Sequence, residues 1–180
     1  MENRIKNFEQ LATTENRRLA LLVAEAGLES LDTVQVIKNS VALRGEVLSV
    51  QGEDFDLSKF KNIKVVGFGK ASCLAASALE KILGSKIQEG VVIGLEKAQC
   101  DYIETFAGSH PKPSATNIIA GKKIFEMVKN STENDLIIAL VSGGGSALLC
   151  SSEEECEQGN RLYESFLKTG KTISVLNPVR

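Results

Sequence analysis

Residues 135–149 read DLIIALVSGGGSALL, and this stretch decides the fold. Its apolar run predicts a buried β-strand over 136–141, and the glycines that follow predict a loop leading into a helix. Each glycine in such a position costs about 0.5 to 1 kcal/mol relative to alanine, so three in a row indicate a backbone that bends sharply or lies against a ligand. We expect the amide groups of this loop and the start of the helix to bind a phosphate or a carboxylate. A tight turn without a ligand is the alternative.

Upstream of the loop, short apolar runs alternate with helical patterns. Strands are predicted over 63–66, 90–93 and 103–106, and helices over 71–83 and 114–129, with Ser114 near an N-cap. Such alternation favours a parallel sheet that is covered on both faces. The predicted fold class is α/β, a doubly wound, mostly parallel sheet with helices on both faces (Rossmann-like), preceded by N-terminal helices.

The two ends of the chain carry weaker patterns. Apolar spacing over residues 2–26 predicts one or two amphipathic helices that end at Gly27, followed by a helix over 33–43 and a strand over 47–50. After the glycine loop, residues 151–155 are predicted as an acidic surface loop, 161–168 as a helix and 173–176 as a short strand. No repeat or low-complexity linker divides the chain, so we place no domain boundary inside it.

The composition argues against several classes of function. With 43% hydrophobic residues, 24% charged residues and a net charge of -2, the chain has no basic field that would attract nucleic acid or an anionic membrane. It also has no apolar run of membrane-spanning length and no signal-peptide core at its start. We therefore expect a cytoplasmic protein with neither nucleic acid nor membrane as a partner.

The four cysteines have no paired CxxC spacing, and His110 is the only histidine. A zinc site of the usual Cys/His kind cannot be assembled locally from these residues. We expect no metal ligands, and we expect Cys73 and Cys150 to be buried, reduced thiols.

A second glycine-rich turn, Gly67-Phe68-Gly69-Lys70, follows the predicted strand over 63–66. It lacks the spacing of a Walker A loop and matches a dinucleotide fingerprint only in part. Lys70 is more informative, because a cation at a helix start opposes the helix dipole and indicates an anion nearby; a lysine that points to solvent is the alternative. His110 lies in a loop on the same side of the predicted sheet, where backbone hydrogen bonds alone would also account for it.

Four motifs in this order resemble the glycerate 2-kinase family: VVGFGKAS at 65–72, AGSHPKPSA at 107–115, DLIIALVSGGGSALL at 135–149 and FLKTGKTISVLNPVR at 166–180. The resemblance covers nearly the whole chain. It implies ATP-dependent phosphorylation of D-glycerate to 2-phosphoglycerate in a cleft between two domains, with Mg²⁺ accompanying the ATP. Lys70 and Arg180 match the catalytic residues. The residues expected to bind substrate or phosphate are Gly69, Ser142, Gly143, Gly144, Gly145, Ser146, His110 and Asn177.

The chain departs from the family pattern in three respects, one of which is that the proline expected after the glycine loop is missing around residues 151–159. Ser114 stands where the family has an aspartate, which puts any role of that acid in doubt. The chain also ends at Arg180, where the family continues into a second domain. We therefore interpret residues 1–180 as an incomplete N-terminal Rossmann-like domain that needs a C-terminal domain or a complementary chain, and we expect it to be inactive alone.

Two alternatives remain open at this point. An NAD(P)H-dependent hydroxypyruvate reductase would use the partial dinucleotide fingerprint. It needs an acidic residue at the end of the second parallel strand to bind the ribose. Only Glu96 is available there, and it lies somewhat beyond the predicted end of that strand. A non-catalytic anion-binding domain should be stable and monodisperse alone, whereas an incomplete domain should expose apolar surface or need a partner.

Overall fold

The computed structural model describes residues 4–176. Its N-terminal part begins with three helices, α1 (Phe8–Leu11), α2 (Glu15–Ser30) and α3 (Thr33–Ser40). Three short strands follow, β1 (Val41–Arg44), β2 (Val47–Val50) and β3 (Glu53–Asp56). They form an antiparallel sheet in which their spatial order is the same as their order in the chain. The sequence predicted the middle strand, but it placed residues 41–43 in a helix and missed β3.

The centre of the molecule is a four-stranded parallel sheet. Its elements are β4 (Asn62–Phe68), α4 (Ser72–Leu83), β5 (Ile87–Gly94), β6 (Ile103–Ala107), α5 (Ala115–Lys129) and β7 (Asp135–Val141). The spatial order is β6-β5-β4-β7, and all three pairings are parallel. The chain moves from β4 outward to β6 and then returns to the other side of β4, so the strand order reverses between β4 and β7.

The two faces of this sheet bury separate cores. On one face, Val65 and Val92 pack with Leu79 of α4, and the antiparallel sheet contributes Leu48. On the other face, Ile93 packs with residues of α5 and with Leu148. Because each strand buries alternate side chains on opposite faces, both faces need a cover. The prediction of a mostly parallel sheet with helices on both faces is confirmed.

The chain after β7 forms α6 (Gly145–Leu148), α7 (Glu153–Leu167) and α8 (Ile173–Leu176). The predicted surface loop over 151–155 is wrong, because Ser152 caps α7 and three glutamates occupy its first turn, where negative charge is favourable. The strand predicted over 173–176 is also wrong, since these residues are helical. Helix α2 continues past Gly27, which does not end it.

The prediction for the cysteines is half right. Cys73 is buried and free, as expected, but Cys150 forms a disulfide with Cys156, and their Cα atoms lie 6.1 Å apart. The helical start of α7 brings the two residues together, and a sequence separation of six residues did not reveal this.

Gly121 of α5 lies against the backbone that follows the glycine loop. A Cβ atom at this position would overlap the carbonyl of Cys150, whereas one at Gly27 in α2 would meet nothing within 4 Å. We expect Gly121→Ala to destabilise the protein by about 1 to 3 kcal/mol through overpacking. The matched control Gly27→Ala should stabilise it by about 0.5 to 1 kcal/mol, because alanine is the better helix former. Urea unfolding of both variants measures the change in unfolding free energy. Equal midpoints for the two variants would contradict the close packing of Gly121 against the Cys150 carbonyl.

None of the helices within residues 4–176 combines the length and the hydropathy that crossing a bilayer requires.

Candidate functional site

The site lies where β4 and β7 end side by side. Their parallel pairing continues into the two loops, because the Ser142 amide donates to the Phe68 carbonyl at 3.2 Å and the Lys70 amide donates to the Gly143 carbonyl at 2.9 Å. In open α/β sheets, ligands bind beyond the carboxyl ends of the strands at the point where the strand order reverses. The two glycine-rich loops predicted from the sequence therefore meet at the expected crevice.

Gly69 makes the close approach of the loops possible. Its φ is +130°, and a Cβ atom there would overlap both the hydroxyl and the carbonyl of Ser142. An L-residue rarely adopts this conformation, and no space exists for its side chain. Gly69 is therefore placed at the site, but its part in the geometry is to let the two loops touch.

Ser142 joins the loops through its hydroxyl. The oxygen accepts a hydrogen bond from the Ala71 amide at 3.0 Å and lies 3.0 Å from the Ser72 hydroxyl, which donates to the Leu140 carbonyl at 3.1 Å. Since Ser72 gives its hydrogen to the carbonyl, Ser142 gives its own to Ser72. The hydroxyl of Ser142, a residue that the resemblance assigns to substrate or phosphate binding, is thus engaged inside the protein.

Lys70 and His110 converge over Gly144. A Cβ atom on Gly144 would lie 3.0 Å from the His110 Nε2 atom and 3.1 Å from the Lys70 Cε atom, and the φ of this glycine is +85°. The two side chains come from loops that are 40 residues apart in the sequence, and only the sheet brings them together. Lys70 is exposed, and among residues 4–176 no carboxylate lies within ion-pairing distance of its Nζ atom.

The glycine loop itself presents free amide groups. Within the described part of the chain, the N–H groups of residues 143–146 have no hydrogen-bond acceptor. Helix α6 has only four residues, so the contribution of a helix dipole is small, and the unpaired N–H groups of the loop are the main donors. Gly145 is buried against the ring of Phe68, while Gly143 and Ser146 are exposed.

Asn117 was missed by the sequence reasoning. It is fully buried, and its Oδ1 atom accepts from the amides of Ser109 and Ser114 at 2.9 and 3.0 Å and from the Ser114 hydroxyl at 3.0 Å. Its Nδ2 atom donates to the carbonyls of Ser109 and Leu148 at 3.2 and 2.9 Å. This side chain therefore ties the His110 loop to the segment after the glycine loop. The spacing Ser114-x-x-Asn117 is the one available signal, since it resembles a capping box.

Three other kinds of group could have contributed to the site: a cysteine thiol, metal ligands and the residues near the C-terminal end of the chain. Burial raises the pKa of the Cys73 thiol to about 11, so it stays protonated near neutral pH and is a poor nucleophile. Residues 4–176 contain no cluster of three or more His, Cys, Asp or Glu side chains that could hold a metal ion. Asn177 and Arg180, which the resemblance singles out, lie outside the described residues.

These features define a class of protein, a Rossmann-like α/β domain with glycine-rich loops at a topological switch point. The family follows from comparison with known proteins. Residues 19–180 match the family model described as domain of unknown function DUF4147, and curated glycerate 2-kinases align over most of the chain. The chain belongs to the DUF4147 family, and glycerate 2-kinases are among its relatives.

The relatives are considerably longer than this chain. Glycerate 2-kinase of Pyrococcus horikoshii is 30% identical over 169 residues, which are 91% of this chain and 37% of the relative. D-glycerate 2-kinase of Thermotoga maritima is 30% identical over 152 residues, 82% of this chain and 36% of the relative. A protein of Agrobacterium vitis that carries the name of a hydroxypyruvate reductase is 36% identical over 120 residues, 64% of this chain and 27% of the relative.

Two solved structures share the fold. A protein from Pyrococcus horikoshii superposes with a TM-score of 0.73 at 27% identity. The superposition covers 93% of this chain and 38% of the Pyrococcus horikoshii chain. Glycerate kinase from Thermotoga maritima superposes with a TM-score of 0.67 at 26% identity. The superposition covers 87% of this chain and 36% of the Thermotoga maritima chain. The chain thus spans a little over a third of the length of these proteins.

Proposed function

We propose that this chain forms part of an ATP-dependent glycerate 2-kinase, which phosphorylates D-glycerate to 2-phosphoglycerate. The observation that carries the proposal is the convergence of Lys70 and His110 over Gly144, beside the free amides of residues 143–146. A cation close to several unpaired amide donors is what a transferring phosphoryl group requires. The glycerate 2-kinases among the relatives support the choice of substrate.

In this proposal the residues act mainly by position and charge. Lys70 would stabilise the negative charge that builds up on the transferred phosphoryl group, while the amides of residues 143–146 would hold its oxygens or the carboxylate of glycerate. His110 borders the same space and would contact the same anion. Mg²⁺ would arrive with the ATP, since this ion prefers phosphate oxygens and water as ligands. Asn177 and Arg180 are proposed to complete the site.

We also propose that the active protein needs a further domain or a complementary chain. Helix α2 buries none of its residues, and its side chains Leu19 and Val23 are 63% and 68% exposed. Leu31 at the end of α2 and Val141 on the outer edge of β7 are 76% and 65% exposed. An apolar surface of this extent is typical of a contact face, which supports the proposal that residues 1–180 are only part of a larger N-terminal domain.

Phosphorus NMR of the reaction products tests this function. The 180-residue chain is assayed with ATP, Mg²⁺ and D-glycerate, alone and fused to the part of the Thermotoga maritima enzyme that extends beyond the matched region. We expect 2-phosphoglycerate from the fusion and none from the isolated chain. A folded fusion that makes no 2-phosphoglycerate would overturn the assignment.

A second candidate is an NAD(P)H-dependent hydroxypyruvate reductase. It is favoured by the name of the Agrobacterium vitis relative and by Glu96, which follows the end of β5 by two residues and lines a cavity together with Lys70. Oxidation of NADH by the same fusion in the presence of hydroxypyruvate, followed by absorbance, would establish this activity in place of the kinase.

A further inference from the structure

A large cavity adjoins Lys70. It has a volume of about 780 Å³ and lies between α4 and the loop of residues 95–101 that follows β5. This volume falls within the range of about 300 to 1,000 Å³ that is typical of sites for small molecules and cofactors. Because Lys70 borders both this cavity and Gly144, a single ligand could reach from one to the other.

The loop wall of the cavity is held firmly from α4. The carboxylate of Glu80 accepts hydrogen bonds from the amides of Asp101, Tyr102 and Ile103 at 2.7, 2.9 and 3.0 Å. Three backbone donors on one carboxylate leave this segment little freedom. The wall therefore exists before any ligand arrives.

The middle of the same loop is fixed from β6 and from α4. The Ala98 amide donates to Thr105 Oγ1 at 3.2 Å, and this hydroxyl donates in turn to the Ala98 carbonyl at 2.7 Å. The Ser77 hydroxyl of α4 donates to the Gln99 carbonyl at 3.3 Å. A site whose walls are pre-ordered loses less conformational entropy when it binds a ligand.

The cavity offers apolar contacts from both walls. Leu74 of α4 and Leu95 of the loop are 48% and 42% exposed, and both line it. Two half-exposed leucines on facing elements provide surfaces between which a flat aromatic group could lose its contact with water. Neither side chain belongs to one of the two buried cores of the sheet.

Charged side chains of both signs line the cavity, and two of them are suited to the parts of a nucleotide. Lys70 supplies positive charge at the border with the glycine loop, and the exposed carboxylate of Glu96 lines the cavity itself. Within residues 4–176 no cation is within 4 Å of Glu96, so its oxygens are available as acceptors. A carboxylate just beyond the second strand of a parallel sheet is suited to accept hydrogen bonds from ribose hydroxyls.

We propose that this cavity binds the nucleoside of ATP, with the base between Leu74 and Leu95, the ribose at Glu96 and the phosphates extending past Lys70 to the glycine loop. The proposal rests on the kinase function proposed above and deepens it. It assigns the nucleotide to the α4 side of Lys70, and it leaves Gly144 and His110 to the transferred phosphoryl group and to glycerate.

Heteronuclear NMR of the backbone amides tests the assignment with the 180-residue chain, because chemical shifts detect weak binding. The chain is titrated with MgADP and, separately, with inorganic phosphate. We expect MgADP to shift amides of both cavity walls, residues 74–77 and 95–99, as well as residues 143–146. We expect phosphate to shift residues 143–146 without the walls.

A pair of variants makes the test specific for the base. Leu74→Gln/Leu95→Gln removes the apolar contacts without adding charge, and both side chains are exposed, so the fold is retained. We expect the Kd for MgADP to rise about tenfold or more while phosphate affinity stays unchanged. Leu167→Gln, at a leucine 59% exposed on α7, is the matched control and should leave both affinities unchanged.

The contrary outcomes separate this proposal from the kinase function. Wall amides that do not respond to MgADP, or an unchanged Kd in the double variant, would overturn the cavity assignment, while 2-phosphoglycerate formation by the fusion would still support the kinase. If the amides of residues 74–77 and 95–99 respond to NADH but not to MgADP, both the cavity assignment and the kinase function are overturned.

Discussion

Replacing Lys70 with alanine in the active fusion is expected to lower kcat/KM for glycerate phosphorylation about 100- to 1,000-fold, or about 2.7 to 4 kcal/mol in the transition state. The reason is that the Lys70 side chain passes over Gly144, with its Cε atom 3.1 Å from the place of a Gly144 Cβ atom, and that within residues 4–176 no carboxylate lies within ion-pairing distance of its Nζ atom. A steady-state assay of 2-phosphoglycerate formation measures the change.

The structure allows the effect of Lys70→Ala on activity to be separated from an effect on folding. The Lys70 side chain is exposed and makes no hydrogen bond or ion pair within residues 4–176, so the free energy of unfolding should change by less than about 0.5 kcal/mol. Lys129→Ala, which removes an exposed lysine at the end of α5, is the matched control and should retain full activity. Unchanged kcat/KM in Lys70→Ala would remove the main support for phosphoryl transfer at this site.

Replacing Asn117 with alanine is expected to have the largest effect on stability, a loss of about 3 to 4 kcal/mol of unfolding free energy. The change removes five hydrogen bonds and leaves the amides of Ser109 and Ser114 and the carbonyl of Leu148 without their partner. Each buried polar group left unpaired costs about 1 to 3 kcal/mol, although relaxation and water entry reduce the sum. Urea unfolding followed by circular dichroism measures the loss.

Two further variants make the Asn117 result interpretable. Asn130→Ala, at an exposed asparagine on the end of the same helix, should change the unfolding free energy by less than about 0.5 kcal/mol. Asn117→Asp keeps the acceptor but loses both donors and buries a charge, so it should also be strongly destabilised. An Asn117→Ala protein within about 1 kcal/mol of the parent would show that this side chain does not hold the two loops together.

Much of the central sheet was predictable, because its signals are local. Strands β4, β6 and β7 and helices α4 and α5 were placed within a few residues of their observed bounds by apolar runs, helical spacing and the cap at Ser114. The antiparallel strands β1 and β3 were missed since they are four residues long and carry no clear alternation; pairing with β2 defines them. Helix α8 has the apolar residues of a strand, and local pattern alone could not decide between the two.

In the candidate site too, the features that depend on local sequence were predictable, and the contacts between distant residues were not. By itself the sequence determined that two glycine-rich turns follow parallel strands and that Lys70 lies just before a helix, because turn chemistry and helix starts depend on neighbouring residues. Only the tertiary structure decided that Lys70 and His110 meet over Gly144, that the Ser142 hydroxyl joins the loops, and that Asn117 holds the His110 loop in place. These contacts join residues far apart in the chain, and they exist only because the strand order β6-β5-β4-β7 places the ends of β4 and β7 together.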